Sequence, residues 1–428
     1  MCTAALTLVL GSLASPALPH AQEAAWPAWR GPSGNGLAAA DAQPPLTFSE
    51  EHNVRWRVEL PGLGASTPVV LGDRLYLTCG LPESGAKIEG GEVPRPPREP
   101  HRLLVLAYDR ATGEELWRTQ VVDAAPHEKL HATSSLASAS MSTDGQRLFA
   151  SFGSHGIYAL DLDGEVLWSR DLGRMTTAAE FGEGATPLLA SGLVVVPWDH
   201  EGQSALIALD AESGEERWRR PRDCDSSWGS PALAPGSDGA HVIASGSDAT
   251  HAYALADGEP SWSQGGMSKN PVNSPTVVGD LVYVLNSYKG NVIQALRSET
   301  GEVAWSYSKA ASYVPNPIVV DGLFFFLRNS GGVLNCLDAA TGEEHFAGER
   351  LDGVRTIHAS PVAAAGRLYF ASREGTVVVL RAGSEFEQLA NNELDDCFDA
   401  SPVIVGDELF LRGRRYLYCL REEAEQDG

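Results

Sequence analysis

The chain has only six cysteines in 428 residues, and none stands in a CxxC, a CxxCH or an adjacent pair. Zinc ribbons, thioredoxin-like redox pairs and covalent haem therefore have no support. Basic residues are scarce beside acidic ones, 32 Lys plus Arg against 56 Asp plus Glu, for a formal net charge of -24. Phosphate neutralisation needs clustered Lys and Arg, so no nucleic-acid partner is expected. The acid surplus itself reads in two ways, as a preference for cationic partners or as solubility through self-repulsion. Long apolar runs are missing too: the first is short and interrupted by Gly11, Pro16 and Pro19, and no later one approaches membrane-spanning length. No transmembrane span is expected. GxSxG, Walker and HExxH patterns are absent, which removes the sequence case for hydrolase and nucleotide-binding chemistry.

From Ala4 to Leu18 the residues are small and apolar, and Ala17, Ala21 and Ala24 offer cleavage-like sites before Trp26, although no Lys or Arg precedes the run. Residues 1–24 read as a signal peptide, and the mature protein as periplasmic or secreted. Cys2 lies ahead of the apolar run, where a lipoprotein cysteine would not be. Of the remaining cysteines, Cys79, Cys336 and Cys419 sit inside apolar strand patterns and read as small core residues, whereas Cys224 and Cys397 fall in loops.

What the chain does have is a repeat. A small-residue turn with Gly four positions before an aromatic returns six times: TGEELW to Trp117, DGEVLW to Trp168, SGEERW to Trp218, DGEPSW to Trp262, TGEVAW to Trp305 and TGEEHF to Phe346. Self-similarity at a period of about 40 to 50 residues marks a propeller or a solenoid. Each unit opens on a small residue followed by Pro, at Pro68, Pro187, Pro231, Pro275, Pro317, Pro361 and Pro402, with a second unit at 138–149 that lacks the Pro. That makes eight starts. Within a unit, short β-prone runs alternate with Gly-Asp, Lys-Gly and Thr-Gly turns, giving four antiparallel strands.

The predicted fold is an all-β, eight-bladed propeller over 53–421. The eighth unit has three strand-like runs, and Asn53 to Glu59 supplies the fourth, carrying Trp56 and closing the ring. Trp56, Trp117, Trp168, Trp218, Trp262, Trp305 and Phe346 are the expected blade-docking aromatics, each burying a large ring against the next blade. Blade 7 runs SEFEQL where a Trp should come, and blade 1 carries an insertion, roughly Pro82 to His101, expected as a lid or mobile loop. Residues 25–52 form an N-terminal extension and 422–428 an acidic tail.

Loops entering the innermost strands of a propeller gather at one mouth of the central channel. Glu183, Asp225, Trp228, Asn273, Asn316, Arg355, His358 and Asp399 stand there as candidate ligand-binding residues. Loops between second and third strands add His155, Asp199, His200, Tyr288, Lys289, Arg328 and Arg373. Carboxylates, amides and an indole in one ring suit a polar ligand, though loops are polar in any case because their backbones meet water. His127 and His131 have the i, i+4 spacing of a helical metal pair, but the Pro before them and the Thr-Ser-Ser after indicate a surface loop. No catalytic residue and no metal ligand is assigned.

The small-Pro opening, the Gly-Asp-x-Leu-Tyr turn at 72–76, the Leu-Asp before the hairpin at 160–161, 209–210 and 337–338, and the Gly-to-Trp hairpin together resemble the PQQ-like β-propeller repeat. That superfamily holds both quinoprotein alcohol dehydrogenases and BamB-like assembly proteins. The segment WPAWRGPSGNG, Trp26 to Gly36, is similar to the leading segment of exported bacterial members and implies packing along the propeller surface before Trp56. The resemblance is specific for fold rather than function; an intact repeat beside an unmatched catalytic set leads to the expectation of an exported, non-catalytic binding or scaffold protein, BamB-like by resemblance, with a protein or polymer partner at one propeller face and no cofactor assigned. A monomer is expected, since the ring closes internally. The competing reading is a PQQ- and calcium-dependent dehydrogenase of an alcohol or sugar. Asp225, Asp399, Asn273, Arg355 and Trp228 are residue types it would need, but their spacing matches no dehydrogenase motif.

Overall fold

Strands such as Leu193–Trp198 (LVVVPW) and Thr376–Arg381 (TVVVLR) have no polar face, so each must be covered on both sides. The outer strands, such as Glu344–Arg350 (EHFAGER), are mostly exposed and need only one neighbour. A ring of radial sheets meets both demands. In a computed structural model that describes residues 25–85 and 98–423, the chain forms eight antiparallel sheets. The signal reading of 1–24, the middle of the blade 1 insertion (86–97) and residues 424–428 lie outside the described residues. Blades 1 to 7 span 69–124, 142–170, 188–221, 232–265, 276–307, 318–350 and 362–393, innermost strand first. Blade 8 takes three strands from 403–420 and its fourth from Val54–Glu59, with Trp56 opposite Cys419.

The hairpin cassette explains itself residue by residue. Asp109, Asp210 and Asp338 each accept two backbone N–H groups of the turn that follows, as in Asp109 Oδ1 with Ala111 (3.0 Å) and Thr112 (2.8 Å). A one-residue register shift beside each docking aromatic bends the outer strand. The ring then lies on the cassette Gly of the next blade: a Cβ at Gly113, Gly164, Gly214, Gly258, Gly301 or Gly342 would stand 2.5–2.8 Å from the indole of Trp56, Trp117, Trp168, Trp218, Trp262 or Trp305. Each indole N–H also donates to a carbonyl of that blade at 2.9–3.1 Å. Opposite the ring on its own sheet stands a small residue, Ala107, Ala159, Ala208, Ala252, Ala295, Cys336 or Cys419. Two of the buried cysteines are therefore space-fillers in an alanine slot.

Blade 7 reverses the pattern, with Val379 opposite Ala390. Its outer strand is covered instead by the N-terminal extension: Phe48 is buried in the same cluster as Val379, and the Phe48 N–H donates to Asn392 Oδ1 at 2.8 Å. The extension does more than lie on the surface. Ala25–Trp26 pairs with the free inner edge of blade 1, Ala28 bridges Ser142 in blade 2, and Leu37 bridges Ala363 in blade 7. Residues 25–37 thus cross the lower part of the channel and occupy inner edges that would otherwise be unpaired. No helix of the described residues is long and apolar enough to cross a membrane.

Candidate functional site at the channel mouth

Seven innermost strands follow a Pro, which holds the preceding residue in extended backbone. Those predecessors, Thr67, Thr186, Ser230, Ser274, Asn316, Ser360 and Ser401, together with Ser140 before Met141 in blade 2, form a belt. Each donates its backbone N–H to the side-chain oxygen of its counterpart in the next blade. The distances run 2.9 Å from Thr67 to Ser140, 3.0 to Thr186, 2.8 to Ser230, 2.8 to Ser274, 3.1 to Asn316, 3.0 to Ser360, 3.1 to Ser401 and 3.2 back to Thr67. Eight hydrogen bonds thereby close around the axis. The belt was missed in the sequence, yet its signal is there: a hydroxyl or amide immediately before each repeat proline.

Over the belt lies an axial funnel of about 160 Å³, lined by belt residues and by Ala65, Trp228, His358 and Asp399 among others. Trp29 reaches it from below and donates its indole N–H to Ser401 Oγ at 3.3 Å. Asp399 is the funnel's carboxylate. Arg414 Nε donates to its Oδ2 at 2.7 Å, while Arg373 Nε and His358 Nδ1 lie 2.9 and 3.2 Å from Oδ1 without hydrogen-bond geometry. Burial alone would raise its pKa; the contacts with His358, Arg414 and Arg373 outweigh that and hold it at about 2.

Beside the funnel, between blades 2 and 3, is a smaller cavity of about 40 Å³ that shares Trp228 and is lined by His127, Glu128, His155 and Glu183. Glu183 accepts hydrogen bonds from the Ser154 N–H and hydroxyl, and burial raises its pKa. Glu128 is held by the Thr177 N–H and hydroxyl at 2.5 Å each. Burial, with His127 and Arg174 adding to it, lowers His155 to about 4. His127 donates its Nε2–H to the Met175 carbonyl at 3.0 Å, whereas His131 contacts Thr133, so the two histidines do not form a metal pair.

The structure therefore brings Trp228, Asn316, His358 and Asp399 into the funnel and Glu183 into its neighbour. Asn273 is buried beside the belt, donating to Pro315 O at 2.8 Å. Asp225 sits on the exposed rim with Lys269 at 3.2 Å, and Arg355, with 85% of its side chain exposed, borders an outer acidic groove with Glu374 and Asp395. Among the described residues no three His, Cys, Asp or Glu groups converge in a way that could hold a metal ion. A quinone and calcium do not fit these residues. The funnel is smaller than the roughly 300–1,000 Å³ of cofactor-sized sites, and its one carboxylate is already shared by two guanidinium groups.

Solved structures similar to this one lie on both sides of the functional question. BamB from Moraxella catarrhalis is 16% identical, with 86% of this chain and 98% of that chain covered and a TM-score of 0.59. Quinohemoprotein alcohol dehydrogenase from Comamonas testosteroni is 11% identical, with 95% and 82% covered and a TM-score of 0.65. The computationally designed Ika8 protein is 10% identical, with 88% and 99% covered and a TM-score of 0.58. At such identities the likeness is one of fold. Among curated proteins no relative matches the chain. The family described as Outer membrane protein assembly factor BamB matches in three overlapping stretches, 25–196, 101–227 and 202–426, which take in both the channel-crossing extension and every blade, and the chain belongs to that family.

Proposed function

We propose that the protein is an exported, monomeric propeller that acts without catalysis, presenting its mouth face to a protein or polymer partner in the manner of a BamB-like scaffold. The observation that carries this reading is the state of the channel. The chain's own residues 25–37 cross it from below, and the buried carboxylates at its mouth already have partners: Asp399 in Arg373 and Arg414, Glu183 in the Ser154 N–H and hydroxyl. General acid–base or metal-assisted chemistry needs a group left free to meet a substrate. What remains accessible is the rim, where Arg355, Asp225 and Lys269 stand on loops held by a rigid ring.

A photo-crosslinking residue placed at Arg355 on the mouth face, compared with one at the exposed Asp163 on the opposite hairpin end, tests this in cells. Specific polypeptide or polymer adducts are expected from the mouth position and few from the other. Purified protein mixed with PQQ, calcium, alcohols or sugars and an artificial electron acceptor is expected to show neither a saturable optical change nor dye reduction. Substrate-dependent dye reduction would overturn the proposal in favour of a quinoprotein dehydrogenase.

A further inference from the structure

On a chain of net charge -24, buried guanidinium groups lie behind the residues that line the funnel. Arg30 is only 2% exposed and lies on the channel side of the extension. Two of its nitrogens donate to the carbonyls of Pro361 (3.1 Å), Asn35 (2.8 Å) and Pro317 (2.7 Å), and its Nε has no partner. Pro317 and Pro361 directly follow belt residues, so the guanidinium sits one residue below the belt. Among the described residues no carboxylate pairs with it. Carbonyl groups solvate a cation but do not neutralise it, and a buried charge without a counter-ion is costly.

A second buried guanidinium lies behind the same wall. Arg412 donates to the Ser66 carbonyl at 2.9 Å and to its hydroxyl, between the lining residues Ala65 and Thr67, and its Nε and Nη2 have no partner. Burial lowers Arg30 to about 9 and Arg412 to about 10, which leaves both charged at neutral pH. Arg373 and Arg414 share the single carboxylate of Asp399. Four guanidinium groups thus stand one residue behind the funnel lining, touching lining residues or their chain neighbours, and the lining itself holds one carboxylate. The belt adds donors: each of its Ser and Thr oxygens already accepts a backbone N–H, and none of these hydroxyls donates to an acceptor among the described residues.

We propose that the axial funnel binds a small oxyanion, a phosphate or carboxylate group, over the hydroxyl belt and above Arg30. A cavity of about 160 Å³ suits such a group. The anion supplies the counter-charge that Arg30 lacks and accepts hydrogen bonds from the belt hydroxyls. The site stands whether or not the scaffold reading does, since it rests on the funnel's own charges.

Inorganic phosphate titrated into the full chain at constant ionic strength, balanced with chloride, is expected to raise the thermal midpoint saturably, as any ligand of the native state does. Arg30→Gln is expected to weaken phosphate roughly tenfold, the scale of removing one buried unpaired charge beneath the site. Arg30→Lys should retain most of the affinity. Asp399→Asn, which removes the funnel's own negative charge, should bind phosphate more tightly than the wild type. A midpoint that follows ionic strength alone, or a folded Arg30→Gln that binds like wild type, overturns the site. If Arg30→Gln does not fold, Asp399→Asn decides: tighter binding supports the site, and unchanged or weaker binding overturns it. A short peptide with a free C-terminus, compared with its amidated form, separates the sources. Protection by the free form alone points to the terminus of a polypeptide, and protection by phosphate alone to a free oxyanion.

Discussion

Gly301→Ala isolates the contact that joins blade 4 to blade 5. Gly301 has φ near +72°, and a Cβ there would lie 2.5 Å from Trp262 Cε3. Two costs are superposed: placing an L-residue in left-handed backbone, roughly 1–2 kcal/mol, and forcing a packed ring aside, roughly 1–3 kcal/mol. Their sum is about 2–5 kcal/mol. Gly279, in the same blade, has φ near +61° with nothing within 4 Å of the added carbon. Gly279→Ala should therefore cost only the backbone share, about 1–2 kcal/mol.

A double-mutant cycle with Trp262→Ala separates the two contributions. That change removes the ring and its 2.9 Å hydrogen bond to Ser298 O, and for a half-buried indole should cost about 3 kcal/mol. With the ring gone, adding Gly301→Ala should cost only about 1–2 kcal/mol, so the pair couples by roughly 1–3 kcal/mol. Urea midpoints at unchanged slope read all four proteins. If Gly301→Ala and Gly279→Ala cost the same, or if the two changes at the interface simply add, the indole does not press on the glycine and the account of blade docking fails.

Trp56→Ala should cost about 3–5 kcal/mol and loosen the ring closure, visible as faster proteolysis of the Val54–Glu59 strand than of any outer strand in blades 1 to 6. Ser274→Ala leaves the buried Ser230 N–H without its acceptor and should cost roughly 1–3 kcal/mol, while Ser274→Thr keeps the belt and most of the stability. Burial holds His155 and His251 at about 4, below the ordinary 6.5. Because the unfolded chain takes up these protons first, stability should be unaffected above pH 6.5 and fall as pH drops from 6.5 to 4. Chemical denaturation across that range should show the slope flattened in the His155→Gln, His251→Gln double variant; an unchanged slope would assign the effect elsewhere. Asp399, held at about 2, should contribute its stability above about pH 4 and lose it as pH falls towards 2, a loss that Asp399→Asn should not show.

The ring of eight was legible because every repeated letter has a local cause. The Asp caps the hairpin turn, the Gly takes left-handed backbone under a neighbouring indole, and the eighth unit lacks the strand that 53–59 supplies. Blade 7 was legible as an exception but not as a solution, since what covers its outer strand is Phe48, more than 300 residues away in the chain. The channel crossing was hidden for the same reason. Trp29 meets Ser401 and Arg30 meets Pro317 and Pro361, and no periodicity links an irregular Pro- and Gly-rich segment to those partners.

The candidate site divides along a sharper line. The funnel's upper lining comes from Ala65, Ser138, Gly184, Trp228, Val272, Val314, His358 and Asp399, and every one of them stands two residues before its belt residue. In extended chain that spacing returns the side chain to the same side of the strand. Trp228, His358 and Asp399 occupy this position, so they line the funnel. Asn273 and Glu183 are one and three residues before the belt and turn away, Asn273 into the backbone of the next blade and Glu183 into the neighbouring cavity. Asp225 and Arg355 are five before it and fall on the rim. Polarity near the repeat proline located the mouth, but strand alternation counted back from that proline decides which side chains face the axis. The chemically distinctive funnel positions then fall in blades 4, 7 and 8, and Trp228→Ala or His358→Ala should change what the funnel admits more than any substitution at Asp225 or Arg355.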